Sequence, residues 1–111
     1  MNKTLKFIDT LIDEFGKEQA RQEFVDDVME RLDSLADEYD KGEVFHLTAD
    51  EILFDDNGEY GVLEFLGSLD INSLEDKLIQ EVLNYLTETM EEDDDKYPEE
   101  LLEKLFDDLV A

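Results

Sequence analysis

Residues 17–39 read KEQARQEFVDDVMERLDSLADEY, and this stretch decides the fold. Phe24, Val28, Leu32, Leu35 and Tyr39 recur at helical spacing and form one apolar stripe. Lys41-Gly42 follows as a stop signal. The same stretch carries a second periodicity on a different face. Asp26, Glu30, Asp33, Asp37 and Asp40 follow one another at steps of four and three, and Glu23 and Asp27 widen the row. Like charges at this spacing cost a helix about 0.2–0.5 kcal/mol per pair. Lysines at alternate positions would reverse that sign, yet only Arg31 intervenes.

Working outward, three more helices are expected. Leu5, Ile8, Ile12 and Phe15 repeat ahead of Gly16, a helix terminator. Leu74, Leu78, Val82, Tyr85 and Leu86 line a helix that starts near Asn72, where Asn72 and Glu75 resemble a capping box. Pro98 opens the last helix, with Leu101, Leu105, Phe106 and Leu109 facing inward. Residues 43–69 carry two signals. Thr48-Ala49-Asp50-Glu51 is a capping box ahead of Ile52-Leu53-Phe54 and argues a short helix. Asn57-Gly58 argues a β-hairpin around residues 52–65. The apolar residues, including Val62, Phe65, Leu66 and Leu69, do not alternate cleanly, which favours short helices. The expectation is a mainly α, single small domain of four to five helices spanning 1–111, with the hairpin as the alternative.

Composition narrows the function. The chain has 111 residues, 34 of them Asp or Glu against 9 Lys or Arg, for a net charge of −25. With 41% hydrophobic residues it is not a disordered acidic tail. It has no Cys, which excludes disulfides and thiol chemistry. No apolar run is long enough to span a bilayer, and Asp9 and Asp13 break the resemblance of the first residues to a signal peptide. The expected location is therefore cytoplasmic. Phosphates would be repelled, so direct nucleic-acid binding is excluded as the main activity, and an anionic membrane surface is disfavoured for the same reason.

Enzyme signatures are thin. His46 is the single histidine, and no nucleophile-elbow, phosphate-loop or dinucleotide pattern is present. Asp55-Asp56-Asn57-Gly58 resembles a calcium loop, but alignment on Gly58 puts Leu53 at the first ligand position. The expectation is a non-enzyme without cofactor or metal.

The charge is uneven. Residues 1–17 sum to zero, 18–64 to −13, 65–90 to −4 and 91–111 to −8. The neutral, apolar first segment suits the core or a homodimer seam. The candidate partner surface comprises Glu23, Asp26, Asp27, Glu30, Asp33, Asp37 and Asp40. It continues with Glu91, Glu92, Asp93, Asp94 and Asp95, then Glu99, Glu100, Glu103, Asp107 and Asp108. Glu14, Glu18, Glu81 and Glu88 are the acids expected to matter less. A net −25 far exceeds the magnitude of about 2–8 that solubility requires. One acid per 3.5 residues of helix gives a charge every ~5.3 Å, about threefold sparser than duplex DNA. Two or three aligned faces, or a dimer, would approach the duplex.

A small, Cys-free, helical and strongly acidic chain resembles the phage-encoded DNA-mimic inhibitors, which include anti-restriction proteins of the Ocr type and acidic anti-CRISPR proteins. The resemblance rests on composition over the whole chain, not on a motif. It implies a protein that antagonises host defence in a bacterial cell by occupying the DNA-binding surface of a basic nucleic-acid-binding protein, nuclease or nucleoid protein. Two alternatives use the same electrostatics. One is an immunity protein or antitoxin capping a basic nuclease around an aromatic anchor such as Tyr39, Tyr60 or Tyr97. The other is an acidic chaperone or adaptor for a basic partner.

Overall fold

Gly16 decides how the first two helices meet. It combines φ 86° with ψ 160°, a backbone region open essentially to glycine alone. Its N–H donates to the Ile12 carbonyl at 2.9 Å, and its own carbonyl accepts from Ala20 at 2.8 Å. One residue thus ends α1 (Asn2–Phe15) and begins α2 (Lys17–Ala36). The structure, a computed structural model, describes residues 2–37, 44–54, 61–62, 76–90, 92 and 95–110.

Within that range five α-helices and one 3-10 turn account for the fold. The turn spans Val44–His46, and α3 (Ala49–Leu53) follows it. The last two helices are α4 (Lys77–Met90) and α5 (Pro98–Val110). No strand occurs among the described residues. The radius of gyration, 13.6 Å, is close to the ~13 Å expected of one domain of this length.

The packing follows from the apolar stripes. On α2, Ala20, Phe24, Val25, Val28, Met29, Leu32 and Ala36 are buried. This arc is wider than one stripe because α1, α5 and the 3-10 turn all pack on α2. The Phe24 ring lies between those of Phe7 on α1 and Phe106 on α5, with centroids 6.0 and 5.9 Å away. Leu78, Ile79, Val82, Leu83, Leu86 and Met90 of α4 and Leu101, Leu102, Leu105 and Phe106 of α5 complete the core.

On α1 the inward face differs from the expected stripe. Thr4, Ile8 and Leu11 are buried, while Leu5 and Phe15 remain 38% and 42% exposed. The cause is a polar clasp. Glu81 on α4 accepts hydrogen bonds from Thr4 N at 2.9 Å, Thr4 Oγ1 at 2.8 Å and Lys3 N at 3.3 Å. These satisfy donors that an α-helix N-terminus leaves open, and they turn Thr4 rather than Leu5 toward the core.

Where it is described the middle of the chain is mostly helical, with an isolated β-bridge at Phe54. Thr48 Oγ1 accepts from Glu51 N, and Glu51 Oε2 accepts from Thr48 N at 3.0 Å, completing the capping box. Phe54 is extended beyond α3, and Gly61 N donates to the Leu53 carbonyl at 2.8 Å. A Cβ on Gly61 would press on the Ile52 carbonyl oxygen and sit 2.7 Å from Leu53 C and Phe54 N. Glycine is required there by the close approach of the backbone. Ile52 and Leu53 belong to α3; Asn57-Gly58, the expected hairpin turn, lies outside the described residues, as do Phe65, Leu66, Leu69, Leu74 and the Asn72–Glu75 box. The same holds for Tyr39 and Lys41-Gly42.

Candidate functional site: the carboxylate face of α2

The expected row of acids on α2 stands opposite its buried arc, and the structure divides it in two. Asp26, Glu30 and Asp37 are exposed and form an outer row, whereas Glu23, Asp27 and Asp33 are half-buried. No cation pairs with any outer-row acid among the described residues; Asp26 accepts only from Gln22 Nε2, at 2.8 Å. From Asp26 to Asp37 the row extends about 16 Å along the helix axis.

Two inner acids hold the fold. Asp33 Oδ1 accepts from Val44 N at 2.5 Å and so anchors the 3-10 turn to α2. Asp27 Oδ2 lies 2.9 Å from Arg31 Nε, an ion pair whose N–H is not aligned for a hydrogen bond. Arg31 also reaches Asp76 at the start of α4, and its guanidinium carbon sits 5.6 Å from the centre of the Phe7 ring. That one side chain joins α1, α2 and α4.

On α5, Glu99, Glu100, Asp107 and Asp108 are exposed and Glu103 is half-buried. Arg21 of α2 brings two of them together, 2.9 Å from Asp107 and 3.7 Å from Glu103. Among the described residues no hydrogen bond or ion pair links the outer row of α2 to the α5 carboxylates. Glu92 and Asp95 are exposed on the connection between α4 and α5. Asp40, Glu91, Asp93 and Asp94 lie outside the described residues.

Sequence reasoning missed two carboxylates that the structure makes structural. Asp76 caps α4, with Oδ1 accepting from Leu78 N at 3.0 Å and Ile79 N at 3.3 Å. An Asp directly ahead of an apolar-periodic run is a legible cap signal, which the Asn72–Glu75 box obscured. Glu81, grouped by sequence with the surface acids, is instead the clasp on α1. Burial opposes its charge, but the hydrogen bonds from Thr4 and Lys3 outweigh that and hold its carboxyl below the ordinary value.

His46 and Tyr97 line a shallow depression of about 260 Å³ together with Glu99 and Glu100. Among the described residues no group of His, Asp and Glu side chains is arranged to hold a metal ion, and no helix is long and apolar enough to cross a membrane. Comparison with protein-family models, with curated proteins and with solved structures finds no match to this chain.

Proposed function

We propose that this protein is a DNA mimic, which inhibits a basic nucleic-acid-binding protein by occupying the surface that would hold DNA. The observation that carries this reading is the outer row of α2, where Asp26, Glu30 and Asp37 face solvent and pair with no cation among the described residues. The arginines support it by where they are spent. The chain has only Arg21 and Arg31, and both cross-link helices instead of neutralising the outer row. The 6,536 Å² surface therefore carries roughly one net negative charge per 260 Å², in keeping with a body built to meet Lys and Arg. Exposed carboxylates would accept charge-assisted hydrogen bonds from side chains that otherwise contact phosphates.

A second reading, an immunity protein capping a basic nuclease, has one observation in its favour: Tyr97 is 43% exposed among acids, as an aromatic anchor would be.

The test is competition. A basic host protein retained by this chain is challenged with duplex DNA, with the expectation of mutual exclusion that weakens steeply as salt rises. Asp26→Asn, Glu30→Gln and Asp37→Asn together should weaken the complex by several kcal/mol. The same number of neutralising changes at Glu14, Glu18 and Glu88 should do less. Equal losses would reduce the acids to bulk charge, and a partner that holds DNA and this chain at once would overturn the mimic.

A further inference from the structure

The hydrogen bonds on both sides of Gly16 are already those of a continuous helix. Its N–H donates to the Ile12 carbonyl and its carbonyl accepts from Ala20 N, the partners four residues back and four ahead. Only the torsions of this one residue, φ 86° and ψ 160°, turn the chain back on itself. No proline and no other glycine lies between Asn2 and Ala36. Rotation of Gly16 into the right-handed helical region would fuse α1 and α2 into one helix of about 35 residues, ~52 Å long.

Opening this hinge strips α1 of its seat. Ile8 and Leu11 leave the core, Phe7 leaves Phe24, and Glu81 loses its hydrogen bonds from Lys3 N, Thr4 N and Thr4 Oγ1. The vacated seat on α2 and α4 matches the apolar face and the N-terminal donors of α1 together. The occupant that restores all of these contacts is α1 of a second copy. Charge favours the same exchange. Residues 1–17 sum to zero while the rest of the chain carries the whole −25, so the segment that changes hands brings no net charge to the copy it enters. A one-residue hinge cannot spread its turn over neighbouring residues, the condition under which exchange between copies becomes cheap.

We propose that this protein forms an exchanged dimer, in which Gly16 opens and α1 of each copy docks on α2 and α4 of the other. Each closed unit keeps the contacts of the single chain, and what the dimer gains is two relaxed hinges. The exchange does not depend on what the surface acids bind.

The experiment measures mass by light scattering and one intrachain distance by pulsed electron resonance. The chain has no Cys, so Lys3→Cys with Glu30→Cys, both at exposed positions, supplies the only label sites. Labelled chains are diluted into unlabelled ones, so that both spins of a measured pair lie on one chain. The packed hairpin holds them about 10–20 Å apart, and the fused helix sets them about 40 Å apart. Native chain refolded from urea at about 1 mM in about 0.5 M NaCl should contain a dimer with the long distance. Gly16→Ala meets nothing within 4 Å and burdens only the closed hinge, so it should tighten the dimer roughly 100-fold. Inserting Gly-Ser-Gly after Gly16 relaxes the turn and should leave a monomer with the short distance. A dimer that keeps the short distance uses another surface and overturns the exchange. So does a Gly16→Ala chain that folds as a monomer. Should that variant fail to fold, the native chain decides, and absence of the long distance at about 1 mM overturns the proposal.

Discussion

The Asp76 carboxylate does two jobs with its two oxygens. Oδ2 lies 2.5 Å from Arg31 Nη1, and Oδ1 caps the first turn of α4. A single acid therefore fixes where α4 starts and ties that start to α2. Excess negative charge in this protein is not all directed outward, and which acids are structural has testable consequences.

Replacing Arg31 by Met should cost about 1–2 kcal/mol, the sum of two partly exposed ion pairs and one cation–π contact. Asp76→Asn keeps an acceptor for the cap, whereas Asp76→Ala loses it and should cost about 1 kcal/mol more. Urea denaturation of both variants separates cap from ion pair; equal losses would assign the whole effect to the charge.

The two structurally demanding glycines among the described residues should fail for different reasons. Gly16→Ala meets nothing within 4 Å, so its loss of about 1–2 kcal/mol is purely conformational. Gly16→Asn should not rescue it, because ψ 160° lies outside the left-handed region that asparagine tolerates. Gly61→Ala forces a methyl against the Ile52–Phe54 backbone and should cost about 1–3 kcal/mol. Thermal melts of the three variants check the ordering.

Glu81→Gln should destabilise the protein by about 1–2 kcal/mol at neutral pH, since one amide oxygen cannot replace a carboxylate that receives donors on both atoms. Folding lowers this pKa, so the native contribution is complete above the ordinary value of 4.5 and disappears as pH falls through the lower folded value. The difference in melting temperature between native and variant should therefore close below about pH 4.5. A gap that stays constant into acid would remove the charge from the clasp.

Self-repulsion should make the fold salt-responsive. With a net charge of −25, the melting temperature is expected to rise between low salt and about 0.5 M NaCl through screening. Neutralising Asp26, Glu30 and Asp37 should raise stability by about 0.5–1 kcal/mol by relieving like-charge neighbours, and should shrink the salt response. A flat or falling melting curve would show that repulsion does not limit this fold.

Periodicity made the helices legible. Phe24, Val28 and Leu32 mark the core of α2, and the Thr48-Glu51 pair marks the start of α3, because both signals are local in the chain. The outer row of α2 was legible for the same reason. What could not be read was which acids would be drawn inward. Glu81 and Asp33 look like other surface carboxylates until Thr4 and Val44 arrive, and the cap at Asp76 is local but its pairing with Arg31 is not. The rotation of α1 away from Leu5 and Phe15 has the same origin, a hydrogen-bond demand that only the assembled helices expose.

The junction at Gly16 also sets the order in which contacts can form. With one residue between them, α1 and α2 meet at almost no loop-closure entropy, so this helical hairpin can assemble on its own timescale. The Thr4–Glu81 and Arg21–Asp107 fastenings join residues 77 and 86 positions apart, and must wait for nearly the whole chain. Substitutions at those late fastenings would accelerate unfolding and leave the refolding rate nearly untouched, while changes at Phe7 or Phe24 would slow refolding itself.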